Sequence, residues 1–292
     1  MKGLRFRQVD VFTSVPFRGN PVAVVLDGSA LADEQMQRIA AWTNLSETTF
    51  VLPPSSPAAD YRLRIFTPRA ELPFAGHPTI GSAHAVLEAG IVKAGGARLR
   101  QECGAGIVEL VPNGGTIWLK APSTSVSSLD PARIPDLEKS LGGRAIARPL
   151  VVDVGPVWIV AELGDAEIVG NLRPDMAALG KITDAAGATG VTVFGKSSDG
   201  ESAIHVRSFA PAHGVAEDPV CGSGNISVAA YFRHCGRPER AYTARQGMQL
   251  GRDGRVSVRI DADGIQIGGE AVTCVEGTLA GQALGLRHVP GH

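Results

Sequence analysis

The sequence of 292 residues has few cysteines, few aromatic residues, no excess of charge and no long hydrophobic run. Its four cysteines are spaced widely and irregularly, without a CxxC pair, so they indicate neither a structural zinc site nor disulfides. The formal net charge of -1 gives no reason to expect nucleic acid or a membrane surface as a partner. The N-terminal segment lacks the apolar core of a signal peptide, and no apolar run approaches the length of a membrane-spanning helix. We therefore expect a soluble, cytoplasmic protein.

Size and composition allow a large folded protein. With 44% hydrophobic residues the chain can bury a substantial core, and its length predicts two domains. Aromatic residues make up only 5%, which gives no basis for assigning stacking surfaces to the walls of a cleft.

What the chain does contain is an internal repeat. The segment "ELPFAGH", which begins at Glu71, recurs 146 positions later as "EDPVCGS", which begins at Glu217. Upstream of it, "RIFTP" is matched by "RSFAP" and one "VDV" by another, both at an offset of 143, and "NPVAVV" resembles "GPVWIV". Four matches in one order make chance a poor explanation, so the chain consists of two copies of one half. Differences between the copies should mark the active site.

Each half has the pattern of many short strands and one small, apolar helix. These helices are predicted over Thr79–Ala89 and Ser223–Arg233, each entered through a turn that contains glycine. A helix that is apolar on most faces must be covered on most faces, which predicts a strongly curved sheet or barrel wrapped around it. A further helix is expected near the N-terminus, with Asp33 as its N-cap and Met36, Ile39 and Ala40 on its buried face.

A segment rich in proline and serine, Ala121 to Asp136, separates the two copies and is interpreted as a linker. The predicted domains are therefore residues 1–121 and 122–292. The last residues of the second domain are allowed to pack back on the first.

Each recurring segment places a glycine, Gly76 or Gly222, before a predicted helix. A helix N-terminus exposes unpaired N–H groups and a partial positive charge, and glycine lets the backbone approach a ligand closely. Two such helix starts, related by the duplication, would converge on one cleft suited to a carboxylate or an oxyanion, with His77 and Ser223 adding side chains. The alternative is that these residues only cap and turn two core helices. Their matching positions in both copies favour the functional interpretation.

At these segments the sequence resembles the PhzF family of phenazine biosynthesis-like proteins. The resemblance is carried by "FRGNPVAVVLD", "NLSETTFV", "FTPRAELPFAGHPTIGSAHAV" and "EDPVCGSGN", in family order across nearly the whole chain. It implies an α+β fold like that of diaminopimelate epimerase, in which each of two pseudo-symmetric halves is a barrel-like, mostly antiparallel sheet around a central helix. It also implies an active site between the halves and a homodimer.

The resemblance points to Glu47, in the motif "NLSE", as the catalytic acid and base. Racemases of the wider superfamily carry a cysteine just before the glycine of each helix turn, and one removes the proton that the other returns. The equivalent positions here are Ala75 and Cys221, and since alanine cannot carry a proton, a two-thiol racemase is excluded. The counterpart of Glu47 in the second copy is Val191, so the acid belongs to one copy only. Without the motif, Glu47 would be interpreted as an exposed charge at a strand edge.

The family pattern implies further site residues. His77 and Asp218 would assist Glu47 as polar or acid–base partners. Contacts with the substrate are implied at Gly76, Gly222, Ser223, Ser46 and Cys221. The structural alternative for Asp218 is an Asx-type turn before Pro219.

Cys221 has two interpretations. It is either a relic that packs as a small hydrophobic residue, or a thiol that serves as a second acid, with a pKa lowered by the adjacent helix N-terminus. Glu71 and Glu217 occur in both copies, which favours a structural role for them.

The leading functional hypothesis is a cofactor-independent isomerase that moves a proton within a small carboxylic acid. For the phenazine enzyme of the family, the resemblance implies a dihydro-hydroxyanthranilate as the substrate, while other members act on other compounds. No metal and no cofactor are expected. One alternative is an epimerase or racemase that uses Glu47 and Cys221 as a mixed pair. The other is a binding protein that kept the fold and lost the chemistry, which the intact Glu47, His77, Asp218 and Ser223 argue against.

Overall fold

A computed structural model describes residues 3–92 and 98–280 of the chain. The chain divides into two compact units. The first comprises the described residues up to Leu119 and from Gly269 to residue 280, and the second is Lys120–Gly268. Residues 281–292, which the predicted second domain included, lie outside the described residues.

The first unit contains a series of short strands and two helices. In chain order they are β1 (Leu4–Val11), β2 (Asn20–Val25), α1 (Asp33–Thr43), β3 (Thr48–Leu52), β4 (Tyr61–Phe66), β5 (Glu71–Leu72), α2 (Gly76–Glu88), β6 (Leu99–Cys103), β7 (Gly106–Asn113) and β8 (Thr116–Lys120). The predicted helix α1 is present, with Met36, Ile39 and Ala40 buried as expected. Its N-cap is Ala32 rather than Asp33, because Asp33 is the first helical residue and its carboxylate pairs with Arg64.

The second unit repeats this order with additional helices. Its elements are β9 (Ser125–Ser128), α3 (Ile134–Leu141), β10 (Leu150–Asp153), β11 (Val157–Asp165), α4 (Ala166–Asn171), α5 (Met176–Ala186), β12 (Gly190–Lys196), β13 (Ile204–Ala210), β14 (Val215–Asp218), α6 (Gly222–His234), β15 (Ala241–Gln246), β16 (Gly254–Asp261) and β17 (Gly264–Gly269). The final strand, β18 (Ala271–Leu279), returns to the first unit.

Strand pairing is the same in both units. In the first, β1 pairs antiparallel with β2, β2 parallel with β3, and β3 antiparallel with β4. Strand β4 pairs antiparallel with β5 and parallel with β6. Strand β6 then pairs antiparallel with β7, and β7 antiparallel with β8. The series from β10 to β16 repeats each of these pairings with the same direction, and β17 follows antiparallel to β16. The repeat seen in the sequence is therefore a repeat of topology.

Each unit adds one further strand beside its first strand, from a different place in the chain. In the first unit this strand is β18, antiparallel to β1, and in the second it is β9, antiparallel to β10. Strand β9 lies inside Ala121 to Asp136, so the prediction that this segment is only a linker is wrong. Its serines are mostly exposed, as suits a short strand at the edge of a sheet, and this polarity disguised it.

Helices α2 and α6 are the central helices of the two units. Helix α2 contacts β1, β2, β3, β4 and β18, and α6 contacts β9, β10, β11, β12 and β16. Gly81 shows how closely α2 approaches the sheet, because a Cβ atom there would lie 2.4 Å from Val22 Cγ1 and 2.8 Å from Val11 Cγ2. The expected sheet around one helix is thus present in each unit.

Candidate functional site

Glu47 is held at the point where the chain leaves α1 and enters β3. Helix α1 ends at Asn44, which takes the left-handed conformation (φ 53°) and donates its N–H to the Ala40 carbonyl. Three residues later, directly before β3 begins at Thr48, the Glu47 carbonyl accepts a hydrogen bond from the N–H of Ala23. The backbone of Glu47 is therefore fixed by a helix end on one side and a parallel strand pair on the other.

His77 is the second residue of α2 and lies directly beside Glu47. The distance from His77 Nε2 to Glu47 Oε2 is 3.4 Å, and the two side chains are 8% and 15% exposed. The structure therefore brings together the two residues of the first unit for which the resemblance implied acid–base roles.

The ionisation of His77 is set by its burial. Desolvation lowers the pKa of His77 to about 4, and a hydrogen bond to the Pro21 carbonyl opposes this shift. A carbonyl oxygen accepts, so the ring nitrogen at Pro21 carries the proton. At neutral pH the imidazole is uncharged, and its other nitrogen, Nε2, faces Glu47 with a lone pair.

The start of α2 has open amide groups. Its N-cap is Ala75, which offers no side-chain acceptor to the first helical N–H groups. Gly76 and Ser46 are both half-buried. Their contact with a substrate stays a prediction.

In the second unit, Asp218, Gly222, Ser223 and Cys221 lie together at the equivalent place. We call residues 218–221, between β14 and α6, the second elbow, and residues 72–75 the first elbow. Cys221 is the N-cap of α6, and its Sγ accepts a hydrogen bond of 3.2 Å from the Gly224 N–H. The same sulfur lies 3.5 Å from Ser223 Oγ.

Asp218 combines a structural bond with a perturbed ionisation. Its Oδ1 accepts a hydrogen bond of 3.0 Å from the Val220 N–H, which is the Asx-type turn expected as the structural alternative. Burial raises the pKa of Asp218 to about 6, against the effect of the Val220 amide and of a hydrogen bond with Cys221. A carboxyl group with this pKa can hold or release a proton near neutral pH.

The Cys221 thiol is less acidic than expected. Burial, followed by the charge of Asp218, raises the pKa of Cys221, so the expected lowering by the helix N-terminus is wrong. The hydrogen bonds from the helix start do oppose the shift, but they are weaker than the desolvation of a sulfur that lies in a residue only 4% exposed. At neutral pH Cys221 is a neutral thiol.

Trp158 and Gln246 were not predicted from the sequence and both touch this cluster. Trp158 Nε1 donates to Ser223 Oγ at 3.1 Å, so the Ser223 hydroxyl proton can be donated to another acceptor, either Cys221 Sγ at 3.5 Å or a ligand. The Gln246 side chain accepts a hydrogen bond from the Cys221 N–H and donates one to the Asp218 carbonyl oxygen, both in the second elbow. One signal existed for Gln246, because Gln101 occurs 145 positions earlier and belongs to the same repeat. The signal for Trp158 was a difference between the copies, because its counterpart in the first copy is Ala23.

Among the described residues, no group of three or more His, Cys, Asp or Glu side chains could hold a metal ion. Within residues 3–92 and 98–280, no helix has the length and apolar character needed to cross a membrane.

Comparison with known proteins matches this chain to one family. The sequence profile described as phenazine biosynthesis-like protein, PhzC-PhzF, matches residues 9–277. Antisense-enhancing sequence 1 of Schizosaccharomyces pombe is 41% identical over 289 residues, which cover 93% of this chain and 97% of that protein. The trans-2,3-dihydro-3-hydroxyanthranilate isomerase of Pseudomonas fluorescens is 33% identical over 284 residues, covering 93% and 97%.

Solved structures agree with the expected fold class. The phenazine biosynthesis protein of the PhzF family from Bacillus anthracis aligns with a TM-score of 0.85 and 27% identity, over 96% of this chain and 100% of that chain. A probable proline racemase from Agrobacterium radiobacter aligns with a TM-score of 0.64 and 16% identity, over 95% and 93% of the two chains, and shows the fold alone. The expected diaminopimelate epimerase-like fold is confirmed.

Proposed function

Because the chain belongs to the phenazine biosynthesis-like family, PhzC-PhzF, we propose that it moves a proton within a small carboxylic acid, with Glu47 as the general acid and base. Relatives that share about a third of its residues over nearly its whole length are named as isomerases, and this chain is an isomerase too. The finer assignment is supported above all by the buried pair of Glu47 and His77.

His77 makes Glu47 a suitable proton carrier. When the Glu47 carboxylate takes a proton from an activated C–H bond, the resulting carboxylic acid can donate a hydrogen bond to the Nε2 lone pair of His77. Because burial lowers the pKa of His77 to about 4, the imidazole is uncharged at neutral pH and can accept this bond. The proton then returns from Glu47 to another carbon of the same molecule, and the double bond shifts. No proton is gained or lost, and no redox cofactor is needed.

The second unit supplies groups suited to a substrate carboxylate. The amides at the start of α6, at Gly222 and Ser223, lie where a helix favours an anion. The Ser223 hydroxyl already accepts a bond from Trp158 and can donate its proton to a carboxylate oxygen. Asp218 assists as an acid–base group, since its pKa of about 6 lets it exchange a proton near neutrality.

The substrate we propose is trans-2,3-dihydro-3-hydroxyanthranilate or a related small carboxylic acid. Support comes from the isomerases of that name in Pseudomonas fluorescens, Pseudomonas chlororaphis and Pseudomonas aeruginosa, which are 33% to 35% identical to this chain. The mixed-pair epimerase is less well supported, because a thiol whose pKa is raised is a weaker acid, and in that alternative Cys221 serves as the second acid beside Glu47.

The test is solvent-proton exchange. Wild-type protein, Glu47→Gln and the control Glu109→Gln, which alters an exposed glutamate of the first unit, are incubated with the dihydro-hydroxyanthranilate in D₂O. We expect deuterium incorporation and turnover to fall at least about 100-fold in Glu47→Gln and to stay at the wild-type level in Glu109→Gln. Full incorporation by Glu47→Gln would show that another group moves the proton.

A further inference from the structure

Gln246, the last residue of β15, is fully buried and directs all of its side-chain hydrogen bonds at the second elbow and the start of α6. Its Oε1 accepts from the backbone N–H of Cys221 at 3.2 Å and from Asn225 Nδ2 at 3.0 Å. Its Nε2 donates to the carbonyl oxygen of Asp218 at 3.0 Å. The amide group thus bonds both ends of residues 218–221, and the side chain is 0% exposed.

The backbone around Gln246 packs against the same elbow. The next residue, Gly247, has φ 100°, and a Cβ atom there would lie 2.5 Å from the Pro219 carbonyl oxygen. A Cβ atom at Gly254 would lie 2.3 Å from Val220 Cγ2. These approaches leave the elbow no room to move toward β15 and β16, so the hydrogen bonds of Gln246 define one position for it.

The first unit offers a matched residue that lacks this connection. Gln101 is also 0% exposed, and its Nε2 donates to Thr79 Oγ1, where Thr79 is the counterpart of Asn225. Its Oε1 accepts from the Tyr61 hydroxyl. Among the hydrogen bonds of the described residues, none joins Gln101 to the backbone of the first elbow, where the Pro73 carbonyl is bonded by the Ala105 N–H instead.

We propose that Gln246 is a positioning residue, which holds Asp218 and turns the Cys221 N–H into the protein so that the amides of Gly222 and Ser223 remain for a carboxylate ligand. The identity of the ligand in this inference rests on the proposed function. The positioning of the elbow by Gln246 does not depend on it. Because the Cys221 N–H donates to Gln246 Oε1, that amide is already hydrogen-bonded inside the protein and does not bind the ligand. By bonding the carbonyl of Asp218, it fixes the residue whose side chain assists the reaction.

The neutrality of the amide matters as much as its geometry. A glutamate at this position could still accept from Cys221 and Asn225, but it would place a second negative charge behind Asp218 and beside the ligand carboxylate. It would also lack the N–H that bonds the Asp218 carbonyl. Glutamine therefore forms all three hydrogen bonds with the elbow and the start of α6 without repelling an anion. A carboxylate at this position would repel an anion and would form only two of these bonds.

The experiment compares Gln246→Glu, Gln246→Met and Gln101→Met with the wild-type protein. Two properties are measured: the titration of the Asp218 carboxyl group by NMR without ligand, and the binding of 3-hydroxyanthranilate, the aromatic analogue of the proposed substrate, by calorimetry. The titration readout needs no ligand. Gln246→Glu is included because it preserves shape and two of the three hydrogen bonds if Gln246→Met fails to fold.

We expect Gln246→Glu to raise the pKa of Asp218 by about one unit and to weaken binding about tenfold, since a like charge a few ångströms away has effects of this size. Gln101→Met should lower the melting temperature but leave the Asp218 titration and the affinity within about twofold of wild type, because Gln101 does not bond the elbow. Where substrate turns over, the loss in Gln246→Glu should appear in KM more than in kcat.

Two results would overturn the inference. One is an Asp218 titration in Gln246→Glu that matches wild type, and the other is an equal loss of affinity in Gln101→Met. If the wild-type protein binds no 3-hydroxyanthranilate while the titration moves as expected, the positioning of the elbow is supported and the proposed substrate class is rejected. The two failures are therefore distinguishable.

Discussion

Arg207 and Glu217 form a doubly hydrogen-bonded ion pair, with Nε to Oε1 at 2.9 Å and Nη2 to Oε2 at 2.8 Å. Arg64 and Glu71 form the equivalent pair in the first unit, at 2.8 and 2.7 Å. The two pairs differ in burial, because the Glu217 side chain is 8% exposed and that of Glu71 is 42% exposed. Both glutamates thus form the same kind of ion pair with an arginine, which fits the structural role predicted from their recurrence. The pair of Glu217 is buried, and that of Glu71 is partly exposed.

Burial predicts different costs for the same substitution at the two glutamates. Replacing Glu217 by Gln leaves the Arg207 charge buried with a weaker partner and should lower the free energy of unfolding by about 3 kcal/mol. Replacing Glu71 by Gln should cost less than about 1 kcal/mol, since its pair is open to solvent. Urea unfolding of both variants measures this difference. Equal losses would mean that burial does not set the strength of these pairs.

The low pKa of His77 predicts a loss of stability in acid. Because the folded pKa is about 4 and the ordinary value is 6.5, the unfolded chain takes up a proton before the folded one as pH falls. The contribution is fully present above pH 6.5 and is lost between pH 6.5 and 4, by on the order of 3 kcal/mol. Asp218 acts in the opposite direction, since its pKa is raised from 3.8 to about 6 and its protonation favours the folded state.

His77→Gln isolates the histidine contribution. In urea unfolding at a series of pH values from 7 to 4, the wild type should lose stability relative to this variant as the pH falls. Parallel curves for the two proteins would show that His77 keeps an ordinary pKa in the folded state.

Replacing Cys221 by serine separates the isomerase from the mixed-pair epimerase. A serine hydroxyl can still accept from the Gly224 N–H, so we expect the helix start to remain and kcat to fall less than about tenfold. If the thiol were the second acid of an epimerase, the loss would be about 10² to 10⁴-fold. Steady-state kinetics measures this, and Cys103→Ser, at another buried thiol, controls for the loss of a sulfur atom.

The close packing of α2 predicts that Gly81 does not tolerate a side chain. In Gly81→Ala the new methyl group would overlap Val22 and Val11, and the free energy of unfolding should fall by about 1 to 3 kcal/mol. Gly277→Ala, on β18, is the control, because a Cβ atom there meets nothing within 4 Å. Thermal unfolding compares them. A neutral Gly81→Ala would indicate that α2 can move away from the sheet.

Local patterns predicted the central helices and most of the strands, because hydrophobic periodicity and glycine turns depend on neighbouring residues alone. They did not predict β9, because its serine-rich sequence is typical of a linker and only its pairing with β10 makes it a strand. They also missed α3 and α4, which lie outside the repeated core of the two units. Pairing with a distant strand is a property that no short segment carries by itself.

Sequence comparison within the chain did more than periodicity to locate the site. Glu47 stood out because Val191 lies at the matching offset of 144, and Cys221 because its counterpart is Ala75. The strands pair Val191 with Phe209 as they pair Thr48 with Phe66, so the structural counterpart of Glu47 is Gly190, which also carries no acid. Such differences between copies are visible without coordinates, since the duplication supplies an internal reference.

The amino-acid sequence by itself determined the duplication, the fold class and the residues worth testing. Only the tertiary structure decided how those residues behave: that His77 Nε2 faces Glu47, that Cys221 is a neutral thiol, and that Gln246 bonds the second elbow. The physical reason is that ionisation and hydrogen bonding depend on what is buried around a group. That surrounding is assembled from segments that lie far apart in the chain, such as β15 and the start of α6.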